Sequence, residues 1–157
     1  MKTKHICLAV LLLFVGIASL SMMRLQDTAA NPIKSTTINW TDIETAMKLS
    51  QKDGKPIFVD VYTEWCGWCK VMDKNTFSNA DVVKYVNANY HAVKLDAEKS
   101  TLLTFNGENM TNAQLTKNVF KVRGYPTIVF IKGSNIKVAP GYQEPQAFLN
   151  LLNETAK

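Results

Sequence analysis

Apolar and polar positions alternate in distinct ways along the chain. From Ile6 to Ile17 the residues are apolar, interrupted only by Gly16, with Lys2, Lys4 and His5 before them. Small and polar residues follow at Ala18, Ser19 and Ser21, then Arg24, Gln26 and Asp27. A basic start, an apolar core and a small-residue exit match a secretory signal peptide, with Thr28-Ala29-Ala30 as the cleavage site. Counted through Met23, the run reaches the ~18 residues at which a helix starts to span a bilayer, so an uncleaved anchor is the alternative. Cys7 lies inside the run, where a lipid-attachment cysteine would follow it. Residues 1–30 are therefore expected to be a signal peptide or N-terminal membrane anchor, residues 31–37 (NPIKSTT) a polar tether, and residues 38–157 one domain.

Beyond the tether the period switches between helical and extended. Ile43, Ala46, Met47 and Ser50 recur at helical spacing and predict a helix over 42–52. Thr41 is placed to cap it, Asp42 and Glu44 make its first turn acidic, and Gly54 lies beyond its end. After Pro56, IFVDVY (57–62) is a near-continuous β-branched and aromatic run, the pattern of a buried central strand. Two cysteines follow at once, and KVMDKNTF (70–77) is helical. Ser78 is placed to cap a helix over 79–89 with Val82, Val83 and Val86 facing inward, and HAVKLD (91–96) predicts another strand. Residues 97–111 have no clean period, although Asn106-Gly107 signals a turn. Thr111 or Asn112 starts a helix through about Lys121. PTIVFIK (126–132) predicts a strand, Gly133-Ser134-Asn135 a turn, and IKVAP (136–140) the hairpin partner. Gly141 breaks the chain before a last helix over 145–155, apolar at Phe148, Leu149 and Leu152. The succession is α/β, with parallel crossovers first and one antiparallel hairpin after, which gives a mixed central sheet flanked by helices.

Composition narrows the function. The chain carries 18 Lys+Arg and 13 Asp+Glu, a formal net charge of +5. With Lys2, Lys4, Arg24 and Asp27 set aside, 15 basic and 12 acidic residues remain, a balance of +3. The remaining lysines are scattered, so no nucleic-acid surface is expected. Of the three cysteines only Cys66 and Cys69 fall outside the leader. Such a short loop contributes little through chain entropy, which disfavours a structural staple.

The stretch DVYTEWCGWCK (60–70) then admits several chemistries. Haem attachment needs a histidine after the second cysteine, where Lys70 stands. A structural zinc needs four ligands, and beyond the leader the only histidine is His91, expected to be a packed or half-exposed strand residue. No metal or cofactor is expected. Electron exchange fits best. Cys66 sits where a strand ends and a helix begins, so unpaired N–H groups and the helix dipole favour its thiolate as nucleophile. Cys69, one turn on, would resolve the mixed disulfide. Lys70 reads equally as a helpful cation or a solvated surface residue. Asp60 interrupts an apolar strand. It is either an outward-facing edge residue or a buried carboxylate of raised pKa that moves the resolving cysteine's proton, with Lys94 as its cationic neighbour.

IFVDVYTEWCGWCK together with VRGYPTIVFIKG resembles the thioredoxin superfamily, over a span from about Thr36 to the C-terminus. The resemblance implies that Asp60 is the family's buried aspartate, Lys94 its neighbouring lysine, and Cys66 and Cys69 the redox pair. It makes Trp65 the tryptophan before the nucleophile and Pro126 the cis proline facing the cysteines. Backbone at Tyr125 would pair with the substrate chain, and Gly141-Tyr142 would form the glycine loop bordering a peptide-binding groove. Gly67, Trp68 and Thr127 complete the implied substrate surface. The middle dipeptide, Gly67-Trp68, departs from the Gly-Pro of thioredoxin. The long segment after the redox helix is similar to the C-terminal domain of membrane thiol:disulfide interchange reductases. Residues 97–111 lengthen the approach to Tyr125, as a partner-recognition loop or an inert elaboration. The implied activity is reduction of disulfides in exported proteins by a periplasmic monomer, soluble or tethered to the inner membrane, recycled by a membrane or periplasmic redox partner. A disulfide oxidase or isomerase, and a peptide-binding module or chaperone without redox turnover, are the alternatives.

Overall fold

The computed structural model describes residues 35–156. The expected leader, Cys7 and the first part of the tether lie outside the described residues. Among the described residues no helix is long and apolar enough to cross a membrane.

Three buried strands organise the domain. β2 (Ile57–Tyr62) has the bounds its β-branched run predicts, as does β3 (His91–Asp96), and the two pair in parallel with Asp60 opposite Lys94. β6 (Thr127–Lys132) lies antiparallel on the other side of β2, placing Ile128 opposite Asp60. A short β1 (Trp40–Thr41) joins the outer edge of β3, and β7 (Asn135–Pro140) joins β6. The sheet order is β1-β3-β2-β6-β7. β2 is central and buried on both faces, which explains its lack of apolar–polar alternation. The connection from β6 to β7 is the two-residue Gly133-Ser134, so Asn135 belongs to the strand and not to the expected turn.

Helices cover both faces. α1 (Ile43–Asp53) lays Ile43 and Ala46 against Ile57, Val59 and Val61. Its cap is Asp42, whose carboxylate accepts from Thr45 N at 2.8 Å, and not Thr41 as expected. Thr41 pairs with Val93 in the sheet instead. Gly54 ends the helix at φ 75°, a left-handed turn that glycine adopts without a side-chain clash. On the opposite face lie α2 (Gly67–Asn75), α3 (Ala80–Asn89) and, at the end of the chain, α5 (Pro145–Ala156). α3 is capped by Asn79, which accepts from Asp81 N and Val82 N. Ser78, the expected cap, donates its hydroxyl to Lys74 O at the close of the preceding helix.

Residues 97–111 are not the aperiodic stretch their sequence suggests. β4 (Leu102–Phe105) and β5 (Glu108–Thr111) form a separate antiparallel hairpin. Asn106 (φ 52°) and Gly107 (φ 85°) make its two-residue turn, in the conformation that suits strand twist. Leu103 and Phe105 alternate inward onto the α1 side of the core, and Thr104 N donates to Glu44 Oε1 at 2.8 Å. Thr111 then caps α4 (Asn112–Gln114) through a reciprocal pair with Gln114. The helix widens into a π-helical turn over Leu115–Val119 and stops short of Lys121.

The α2 side of the core is aromatic. Phe58 lies 5.3 Å from Phe148, 5.5 Å from Trp40 and 5.6 Å from Phe77, centroid to centroid. Truncating a ring with so many partners leaves a cavity that neighbours cannot fill. Phe58→Ala is expected to lower unfolding free energy by about 3–5 kcal/mol, read from the urea midpoint, and Phe58→Leu by clearly less.

Candidate active site

Phe58, Asp60 and Tyr62 alternate onto the sheet face that α2 covers, and the chain leaves β2 straight into that helix. Cys66 is the residue that caps α2. Its Sγ accepts from Cys69 N at 3.1 Å, and its own N–H donates to Thr63 O at 3.1 Å. A sulfur thus occupies the position where a helix offers unpaired N–H groups. Cys66 and Cys69 form a disulfide and are both buried, at 5 % and 4 % exposure. On α2 the positions Cys69, Met72 and Asp73 share one face, at i, i+3 and i+4.

Asp60 is 2 % exposed, so the outward-facing reading of this residue fails. Its Oδ1 has no hydrogen-bond partner among the described residues. Burial pushes its carboxyl up to about 7; the Lys94 ammonium opposes that rise and the Asp73 carboxylate adds to it. Lys94 Nζ stands 3.9 Å from Asp60 Oδ2, but its hydrogen bond goes to Asp73 Oδ1. The same ammonium lies 5.3 Å from the Tyr62 ring centroid and 5.4 Å from that of Trp40. Lys94 is therefore shared, and Asp60 is left without a full counter-charge.

The other expected positions lie on two loops whose rings meet Trp65, next to Cys66 in the chain, and Trp68, next to Cys69. The Tyr125–Pro126 peptide is cis, and Pro126 is buried. Thr127 is buried, with its hydroxyl donating to Gly124 O at 2.7 Å. Gly141, at φ 91°, donates its N–H to Pro126 O at 2.8 Å, which ties the second loop to the first. Thr76 Oγ1 donates to Gln143 O at 2.6 Å and ties that loop to α2. Two aromatic pairs bridge these pieces. Trp65 meets Tyr125 edge-on with centroids 5.9 Å apart, and Trp68 meets Tyr142 at 5.4 Å. Trp65 and Trp68 nevertheless remain 66 % and 61 % exposed. Gly67 begins α2, and Lys70 is an exposed residue on it.

Three further residues contact the expected ones and were not singled out by the sequence. Asp73 was detectable from its i+4 spacing to Cys69. Trp40 reaches Lys94 only because β1 joins β3. Glu98 accepts the Trp65 indole N–H with both oxygens at 3.0 Å, from a loop whose sequence carried no signal. His91 takes no part: at the other end of β3 its Nε2 meets Asp53 at 3.0 Å. Among the described residues no cluster of three or more His, Cys, Asp or Glu is arranged to hold a metal ion.

The chain matches the thioredoxin-like domain family over residues 43–156. It is 33 % identical over 144 residues to the thiol:disulfide interchange protein DsbD of Escherichia coli K12, covering 87 % of this chain and 23 % of that one. With the DsbD of Yersinia pestis it shares 35 % identity over 111 residues, 68 % of this chain and 17 % of the relative. The chain thus spans less than a quarter of the length of these relatives. The solved structure of a DsbH oxidoreductase superposes with a TM-score of 0.63 at 22 % identity, over 84 % of this chain and 92 % of the other. That last likeness is one of fold.

Asp60 sets a pH dependence on stability. Its folded pKa, about 7, lies above the ordinary 3.8, so the folded state holds a proton that the unfolded chain releases. Stability from this source is complete below the ordinary value and falls as pH rises through about 7. Asp60→Asn is therefore expected to match wild type near pH 4 and to exceed it at pH 8, by at most roughly 4 kcal/mol. Denaturant titrations at the two pH values check this; an equal difference at both would refute it.

Proposed function

The chain belongs to the thioredoxin-like family of thiol:disulfide oxidoreductases, and on that premise we propose that it reduces disulfides of exported proteins. The observation that carries this reading is Cys66, a sulfur capping α2 and bonded to Cys69, at the end of the strand that carries the buried Asp60, whose carboxyl is pushed up to about 7. In the reduced protein the Cys66 thiolate attacks one sulfur of a partner's disulfide. The partner's other sulfur leaves and takes up a proton. Cys69 then gives its proton to Asp60, and its thiolate attacks Cys66 Sγ. The Cys66–partner bond breaks, the partner departs with both sulfurs as thiols, and the Cys66–Cys69 disulfide is restored. Lys94, held by Asp73, tunes Asp60 and so acts as a positioning residue.

The backbone at Tyr125 and Pro126, leading into β6 at Thr127, and the rim formed by Trp65, Gly67, Trp68, Gly141 and Tyr142 receive the partner chain. Residues 1–30 direct export, which places the domain in a periplasm, free or tethered through 31–37. A second redox protein there or in the membrane returns electrons to the pair. The DsbD relatives are thiol:disulfide interchange proteins, which supports exchange of this kind. Potentials of such proteins span about 150 mV according to how far the thiolate form is stabilised.

Cys66→Ser is expected to abolish reduction of a model protein disulfide, and Cys69→Ser to accumulate the mixed disulfide, seen by mass spectrometry. Turnover equal to wild type in both would leave a peptide-binding module as the reading. The potential of the pair, measured against glutathione, is expected to fall nearer about −270 mV than about −120 mV; the latter would make the protein an oxidase. The resolving step is expected to accelerate as pH rises through about 7, where Asp60 becomes able to accept a proton. Stopped-flow rates should lose that inflection in Asp60→Asn.

A further inference from the structure

The disulfide's surroundings differ in charge from one side to the other. Beside Trp65 stand two exposed carboxylates, Glu64 next to it in sequence and Glu98 on its indole N–H. Among the described residues neither makes an ion pair. Lys99, the nearest lysine in sequence to Glu98, lies 3.7 Å from Asp96 Oδ2 instead. Arg123 is exposed two residues before Tyr125 and makes no ion pair with Glu64 or Glu98. The negative field reaches the site itself: burial, then Glu98, then Asp96 push the Tyr125 hydroxyl above its usual range, and no cation opposes them. An indole donating to a carboxylate leaves the full negative charge in place, and an exposed ring next to it offers a face for a cation.

The other side is apolar. Trp68 is exposed and leans on Tyr142, which follows Gly141 in the loop tied to Pro126. Neither ring has a hydrogen-bond partner among the described residues that would turn it into a polar contact. Such a pair gains from covering by an apolar side chain, at roughly 25 cal/mol per Å² removed from water.

We propose that this rim selects the partner asymmetrically: Glu98 and Glu64 beside Trp65 take a lysine or arginine, and the Trp68–Tyr142 pair takes an apolar side chain, from the residues flanking the partner's reactive cysteine. The proposal rests on the disulfide-exchange reading and names the class of polypeptide it serves. Glu98 is a specificity-determining residue with no part in the electron transfer, and Trp68 provides the second contact.

Short peptides test it, each carrying one cysteine as a mixed disulfide with 2-thiopyridine. Cys66 attacks the peptide sulfur and releases 2-thiopyridone; Cys69 attacks Cys66 Sγ and releases the peptide thiol. Each turnover thus oxidises the protein dithiol and reduces one mixed disulfide. The flanking pairs are Arg/Leu, Leu/Arg, Glu/Leu, Leu/Glu, Arg/Ser and Ser/Arg, so both orientations are sampled. In one orientation the Arg/Leu peptide is expected to react about five- to tenfold faster than its Glu counterpart at low salt, and the ratio should shrink as salt screens the charges. Glu98→Gln, which keeps an acceptor for the Trp65 indole, is expected to cut that ratio to about a third. Trp68→Ala is expected to lower the Leu-over-Ser preference about fivefold and leave the Arg-over-Glu ratio in place. Equal rates for all six peptides, or a ratio indifferent to Glu98→Gln, overturns the proposal. The small neutral substrate 2-hydroxyethyl disulfide separates the two readings. Failure to reduce it as well as the peptides would sink the exchange reading itself, whereas reduction of it without peptide preference sinks only the selectivity.

Discussion

A helix capped by a sulfur is the constraint on which the site depends. Oxygen side chains usually hold the first N–H groups of a helix, and they do so at α1 and α3. At α2 the acceptor is Cys66 Sγ. Sulfur is a weak acceptor as a thiol and a good one as a thiolate, so the same geometry that under-satisfies the helix in one state rewards it in the other. The cap must also be presented to a partner while its helix is anchored. Central placement of β2, with β3 and β6 on either side, supplies the anchor and aims the chain out of the carboxyl end of a parallel pair.

Asp60 shows what that arrangement costs. A carboxylate in a strand buried on both faces, with one oxygen unpaired and its lysine drawn away to Asp73, destabilises the folded protein wherever it is ionised. The aromatic packing of Phe58, Phe77, Phe130 and Phe148 on the same face offsets such a penalty locally. A structural role would be better served by asparagine or an apolar residue at this position. The groups around Asp60 instead hold its protonation near the point where it can go either way.

Much of this was legible because it depends on local pattern. β2, β3 and the inward valines of α3 follow from apolar period, and the two cysteines from their spacing. The caps were displaced by one residue for reasons that local pattern does not contain. Thr41 can cap a helix, though less well than aspartate, and pairing with Val93 commits it to the sheet. Ser78 is consumed by the last turn of α2, leaving Asn79 to cap the next helix. The β4–β5 hairpin has the alternation of a strand pair, yet its strands are four residues each, too short for a period to stand out from a loop. Glu98 and Trp65 are 33 residues apart, and only the folded sheet brings a carboxylate from the end of β3 to an indole at the start of α2.

In the proposed reading, electron transfer and partner choice are carried by different side chains. Cys66, Cys69, Asp60 and Pro126 are buried and held by backbone contacts, so their geometry is fixed before any partner arrives. Trp65, Trp68, Glu64 and Glu98 are exposed; Trp65 leans on Tyr125 and bonds Glu98, and Trp68 leans on Tyr142. Preorganisation matters for the first set, because a misplaced sulfur cannot align for in-line attack on a disulfide. Adaptability matters for the second, because rim charges and rings tune encounter and residence without entering the bonds that break. The sets meet at two peptides, one joining Trp65 to Cys66 and one joining Trp68 to Cys69. Replacing either tryptophan therefore alters the partner surface and a cysteine's immediate surroundings together. A change at Glu98 acts on the surface alone.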